Sequence, residues 1–199
     1  MPDNSFYSFE ELTQLGLKSF GNNVLISRFA RLYNPQHIEI GSNVRIDDFC
    51  ILSAGTGDIV LKNYIHIGPY SSLFGGSGIE IGNFSGTSSR CSIYSVTDTA
   101  EGSGINSLTV PDEYRSPVKG GKVILRDYSS LATNSTILPK VILAEGVFVG
   151  AHSLVIRNLK KPWHVYFGVP AQELSERSQT AKEYGEKLLA NLQKEANYL

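Results

Sequence analysis

The chain has 199 residues, 41% hydrophobic and 19% charged. This globular composition excludes a mainly disordered chain and fits one domain with a terminal appendage. Eighteen basic and nineteen acidic side chains leave a formal net charge of -1, so no overall attraction to nucleic acid or anionic membrane is expected. No apolar run approaches the roughly 20 residues of a transmembrane span, and the first residues carry acids where a secretory leader would be basic. Cys50 and Cys91 are too few for a disulfide framework and lack metal-ligand spacing, so a reducing cytoplasm is the expected compartment.

In chain order, a cap over residues 1–19 comes first, with a short amphipathic helix expected over 9–17. Between 20 and 170 the sequence repeats in hexads with an aliphatic residue in slot one: Ile40, Ile46, Leu52; Leu61, Ile67, Leu73; Ile81, Thr87, Ile93; then Leu125, Leu131, Ile137, Leu143, Val149 and Val155. A weaker first coil runs through Phe20, Ile26 and Leu32. Slot five holds small or β-branched residues: Val44, Cys50, Thr56, Ile65, Ser71, Ser77, Ser85, Cys91, Thr97, Ser129, Ser135, Val141, Val147 and Ser153. Two residue classes recurring in phase imply a solenoid of short parallel strands around a narrow triangular core. Three hexads make a coil, and the count gives six coils. The cysteines fall in the small slot, as packing residues and not as catalytic thiols.

The register stops after Ile93 and resumes at Leu125, leaving an inserted loop at about 96–122. A loop this long in a regular solenoid points to function. The segment 171–199, rich in Glu, Lys, Leu and Ala, is expected to be a helix.

The repeat resembles the hexapeptide-repeat acyltransferases, whose fold is a left-handed parallel β-helix. Gly150-Ala151-His152-Ser153-Leu154-Val155 is similar to that family's G-A-x-S-x-V turn, and the run from Pro162-Trp163 to Gly168-Val169-Pro170-Ala171 to its closing segment. Asn34-Pro35 and Thr109-Val110-Pro111 resemble bacterial galactoside or polysaccharide O-acetyltransferases. The resemblance implies an all-β left-handed β-helix with an inserted loop and a C-terminal helix. It also implies a homotrimer with sites between neighbouring prisms, acetyl-CoA or another acyl-CoA along the C-terminal coils, and an acceptor near the loop.

In that frame, Ala132, Gly150, Ala151, Ser153 and Pro170 suit the pantetheine chain, because its amides pair with backbone only where side chains are small. Arg157, Lys160 and Lys161 are candidates for the phosphates of CoA; on their own they read equally as a solvated basic cluster.

Acyl transfer to a hydroxyl needs a general base and a donor for the oxyanion. Many relatives carry a histidine where the loop begins; here the stretch is Tyr94-Ser95-Val96-Thr97-Asp98-Thr99. Asp98 is the nearest titratable replacement, although an ordinary carboxylate is a weak base unless buried. His66, expected at a corner one coil before the loop, and His152, inside the turn motif, are further catalytic candidates. His164 is expected to be structural, and His37 has no assigned role. Tyr70, Asn106, Tyr114 and Arg115 are candidates for a sugar or nucleotide-sugar acceptor, the last three equally for a contact between subunits.

The leading expectation is an acyl-CoA-dependent O-acetyltransferase acting on a sugar of surface polysaccharide. The alternative is an N-acyltransferase on a nucleotide-linked amino sugar, since a neutral amine needs less help from a base. A non-catalytic scaffold is the third reading. Four histidines scattered over different slots argue against a zinc hydrase on the same fold, and no metal is expected.

Overall fold

The computed structural model describes residues 5–196. Ser8 caps helix α1, Phe9–Gln14, through a reciprocal capping box with Glu11, and Leu12 is its buried anchor. Arg28, on the first coil, reaches back to both carboxylate oxygens of Glu11, at 2.9 and 2.6 Å, which ties the cap to the prism.

Three parallel sheets enclose the core. The first face stacks Ser19–Phe20, Ile38–Ile40, Ile59–Leu61, Ile79–Ile81, Val123–Leu125 and Ile142–Leu143. The second stacks Val24–Ile26, Val44–Ile46, Ile65–Ile67, Gly86–Thr87, Ser130–Leu131, Phe148–Val149 and His164–Phe167. The third stacks Arg31–Tyr33, Ile51–Ala54, Ser72–Gly75, Ser92–Tyr94, Thr136–Ile137 and Leu154–Val155. The expected parallel β-helix is therefore present, with six coils and a seventh strand closing the second face.

The hexad maps directly onto this geometry. Slots five, six and one form each strand, and slots two to four turn the corner. Slot one is buried in every coil from Ile40 to Val155. Slot five is buried too, with Cys50 and Cys91 fully enclosed, as expected for packing residues. Burial raises both thiols to about 11, far from the range of a reactive thiolate. Thr56, Ser77 and Thr97 depart from the slot-five expectation and lie outside the core. Extra residues at that corner push them outward, and Ile59 and Ile79 take the interior positions in the next strand.

Slot four carries the left-handed residue that each corner needs: Asn43, Phe49, Tyr64, Tyr70, Phe84, Arg90, Tyr128, Asn134, Lys140 and His152 all have φ between 56 and 68°. Where aromatic rings occupy this slot they stack from coil to coil. Tyr64, Phe84 and Tyr128 lie 4.8 and 5.1 Å apart, and Trp163 continues the column at 5.6 Å.

Two C-terminal expectations need correction. Gln172–Glu176 is not helical; it forms a strand antiparallel to His164–Phe167. That otherwise open edge of the second face needs hydrogen-bond partners, and this pairing supplies them. Helix α2 begins only at Thr180 and runs to Ala196; residues 197–199 lie outside the described residues. It docks along the aromatic column, where Gly185 lets the backbone approach Tyr128: a Cβ there would meet the phenol oxygen at 2.3 Å. Lys182 pairs with Glu145 at 3.0 Å. Among the described residues no helix is long and apolar enough to cross a membrane.

The insertion leaves the third face as a hairpin, Val96–Asp98 against Val118–Gly120. Lys119 of the hairpin pairs with Glu101, and the chain re-enters the prism at Val123–Leu125.

Candidate functional site

The outward-facing slot-six residues of the second face form one row. Register pairing aligns Leu25, Arg45, His66, Gly86, Ser130, Phe148 and Val165, coil on coil. Side chains stand on this row except at Gly86, and Ser130 is short. Neighbouring strands are about 4.8 Å apart, so two consecutive small positions open a gap between His66 and Phe148. The result is an open groove of about 760 Å³ with His66 on one wall and Phe148 on the other. Gly86, Thr87, Ser88, Ser89, Ser130 and Ala132 also line it. Glycine is required at its centre: a Cβ on Gly86 would lie 2.4 Å from the His66 carbonyl oxygen.

His66 is not at a corner, as the hexad count had implied. Slot six is mid-strand, so its ring stands out from the sheet, 56% exposed. Its Nε2 lies 2.6 Å from Asp47 Oδ2, and Arg45 Nε donates to Asp47 Oδ1 at 2.6 Å. Both oxygens of this largely buried carboxylate are thus engaged. Burial opposes the charge on Asp47, but the hydrogen bonds from Arg45 and His66 outweigh it and hold the carboxyl below its usual range. Asp47 had not been singled out from the sequence. It sits in slot two, the first residue of a corner, and only the coil-to-coil register brings it under His66.

The other candidates fall into separate groups. Ala132 shares the groove with His66. His152 occupies a corner at φ 56°, its Nε2 at 3.2 Å from the Asn134 side-chain amide. Gly150 is buried, and a Cβ there would strike the Phe167 ring at 2.3 Å, so prism packing already demands glycine; Ala151 is half-buried beside it. Ser153 is buried, and its hydroxyl accepts from Gly168 N at 3.0 Å, so the chain itself uses this side chain. Arg157 donates to Gln172, and Lys161 to Glu173, each at 2.8 Å; both pairs hold the added strand. Lys160 is exposed, and Pro170 follows a cis peptide bond in the closing turn. His164 accepts its expected structural role: Nδ1 lies 2.8 Å from the Pro162 carbonyl.

In the insertion, Arg115 donates to the carbonyls of Val110 and Leu108 and pairs with Asp112 at 2.8 Å. Its guanidinium is the internal staple of the loop. Asn106 donates to the Thr99 carbonyl at 3.2 Å, while Tyr114 is exposed on a short 3-10 turn. Tyr70 is also exposed, at a corner, stacked on Phe49 at 5.0 Å with Arg90 over its ring at 5.4 Å. Asp98 stands exposed at the outer end of the hairpin pairing, opposite Val118, and strand Ser92–Tyr94 separates it along the chain from Ser88. Among the described residues no three His, Cys, Asp or Glu side chains converge.

Compared with models of known protein families, the chain matches none. It is 42% identical over 168 residues to a dTDP-4-amino-4,6-dideoxy-D-glucose acyltransferase of Escherichia coli, covering 84% of this chain and 86% of that one. It superimposes with a TM-score of 0.89 and 43% identity on the N-acyltransferase AntD of Bacillus cereus, solved as a serine variant with dTDP-4-amino-4,6-dideoxyglucose and coenzyme A; 95% of this chain and 99% of that one align. AntD solved with dTDP and 3-hydroxybutyryl-CoA gives the same score and identity, over 96% and 99%. These relatives overturn the leading expectation of a sugar O-acetyltransferase. Their acceptor carries an amine, and they support the nucleotide-linked amino-sugar alternative. The Asn-Pro and Thr-Val-Pro signatures that had pointed to O-acetylation sit at a corner and in the insertion, where they shape turns and name no acceptor atom.

Proposed function

The chain belongs to the hexapeptide-repeat β-helix acyltransferases, and from that membership we infer that it transfers an acyl group from acyl-CoA to the 4-amino group of dTDP-4-amino-4,6-dideoxyglucose. The observation that carries this reading is identity above 40% along nearly the whole chain with enzymes named for that amino sugar or bound to it. A fold alone would not specify an acceptor.

The reaction joins the amine to the thioester carbonyl and releases the CoA thiol. Two further features support the chemistry. AntD was solved with substitutions at one serine and one aspartate, ten positions apart in its sequence. In this chain only Ser88 and Asp98 form a serine–aspartate pair with that spacing. Ser88 lines the groove of the second face and Asp98 begins the insertion. In this reading the Asp98 carboxylate holds the acceptor amine, and the Ser88 hydroxyl donates to the carbonyl oxygen as it gains charge.

The two residues leave the prism at different corners of one coil. A site that uses both is therefore built from two copies, Ser88 from one and Asp98 from its neighbour, in keeping with the trimer the family resemblance implies. The small slot-two residue Ala132, on the groove, leaves room along the coils for the pantetheine arm.

The test is thiol release from acetyl-CoA and 3-hydroxybutyryl-CoA with the dTDP amino sugar, and with dTDP-glucose as the hydroxyl control. Turnover is expected with the amine only. Ser88→Ala and Asp98→Asn are each expected to lower kcat by about a hundredfold. Equal turnover of the hydroxyl control would overturn the reading.

A further inference from the structure

His66 and Asp47 form a carboxylate–imidazole pair on the wall of the groove, and neither residue has a part in the scheme above. We propose that His66 is a catalytic proton carrier for the acyl transfer and that Asp47, fixed in turn by Arg45, is its positioning residue. This rests on the nitrogen-acceptor reading.

Arg45 and His66 are neighbours on adjacent coils, and Asp47 lies two residues beyond Arg45, where the strand turns. Such placement would let Asp47 bond either side chain alone; the structure gives one oxygen to each, both at 2.6 Å. With Nε2 committed to the carboxylate, that nitrogen carries the hydrogen in the neutral ring, and Nδ1 holds the free lone pair. The next outward position is Gly86, with no side chain to cover the ring. The imidazole therefore borders open groove on the side where Ser88 also lies. Backbone packing already demands glycine at 86, and its consequence is that the ring stays uncovered on the groove side.

The proton balance follows. The amine nitrogen attacks the thioester carbonyl, and the C–N bond forms. One N–H proton passes to His66 Nδ1, leaving an imidazolium held against the Asp47 carboxylate. As the C–S bond breaks, the imidazolium returns that proton to the departing thiolate. Amine and thioester become amide and thiol, and His66 ends as it began. Arg45 and Asp47 are the charged groups facing the ring from the coil below. The coil above presents Gly86, which contributes none.

The experiment is a double-mutant cycle on the full-length protein with acetyl-CoA and dTDP-4-amino-4,6-dideoxyglucose, using Asp47→Asn, His66→Gln and the double variant. Each single substitution is expected to lower kcat by about tenfold or more while KM for acetyl-CoA stays within about twofold. The double variant is expected to be no slower than His66→Gln alone, since Asp47 acts only through the ring. Thermal melts identify any variant that fails to fold. Asp47→Glu then replaces Asp47→Asn: it keeps the charge but displaces it by one methylene, and the same non-additive loss is expected. Losses that multiply in the double variant, or an Asp47 effect confined to KM, would overturn the proposal while leaving the acceptor reading intact. A wild-type protein that does not turn over the amino sugar would overturn the acceptor reading first, and this one with it.

Discussion

A phenylalanine or tyrosine at positive φ costs about 1–2 kcal/mol relative to right-handed backbone, yet this chain places such residues at Phe49, Tyr64, Tyr70, Phe84 and Tyr128. Stacking of each ring on a neighbouring coil offsets the strain by about 0.5–1.5 kcal/mol per pair, so the corner residue becomes part of the fold's vertical packing. The cysteines make the complementary point. Both are fully enclosed and pushed up to about 11 by burial. In the native protein at pH 8, Cys50 and Cys91 are therefore expected to resist a disulfide reagent for hours and to react completely once denatured. Labelling of either within minutes under native conditions would contradict the packing described. Their role was legible from slot position alone. Asp47 was not, because its value depends on a contact with the next coil that no local motif encodes.

At the scale of elements, the groove is a product of one strand row. Gly86 cannot be enlarged without striking the backbone below, but Ser130 can. Ser130→Phe is expected to fill the gap between His66 and Phe148 and to lower kcat/KM by about a hundredfold, with a melting temperature within a few degrees of wild type. Normal turnover by this variant would place the reaction elsewhere. The insertion is a second separable element, joined to the prism by its hairpin and stapled internally by Arg115. Replacing residues 99–115 with a short Gly/Ser turn is expected to preserve the β-rich circular dichroism spectrum and abolish acyl transfer. The position of this insertion was legible from the break in the hexads. What was not legible was that Arg115 spends donors on the carbonyls of Val110 and Leu108, so its guanidinium is engaged within the loop itself. The start of α2 was also misplaced, because a Glu-rich segment with helical composition is drawn into an antiparallel strand by the unpaired edge of the second face.

Over the whole molecule, ion pairs link parts that hydrophobic stacking leaves independent. Glu11 joins the cap to the first coil, Asp58 ties the first coils together through Lys18 and His37, and Glu80 bridges the insertion to Lys122. Hydrogen bonds from Arg28, Lys18 and Lys122, respectively, hold these carboxyls below the usual range. A group whose folded value is depressed stabilises the fold above its unfolded value, about 4 for a carboxylate, and loses that contribution as pH falls through the folded value. Urea midpoints are therefore expected to be flat from pH 8 to 5 and to fall below about pH 4; a midpoint that rises on acidification would contradict these assignments. At this same scale the sequence was most readable in architecture and least in chemistry. The hexad period determines the prism, but it does not distinguish oxygen from nitrogen acceptors, and the choice between them came from relatives that align with most of the chain.

The central claim is that the acyl group goes to nitrogen. The direct measurement is the product formed from acetyl-CoA and dTDP-4-amino-4,6-dideoxyglucose, purified and treated briefly with alkaline hydroxylamine before mass spectrometry. An acetylated sugar nucleotide that survives the treatment unchanged, as an amide does, is the predicted result. An acetyl group removed by hydroxylamine would be an ester on oxygen and would contradict the account.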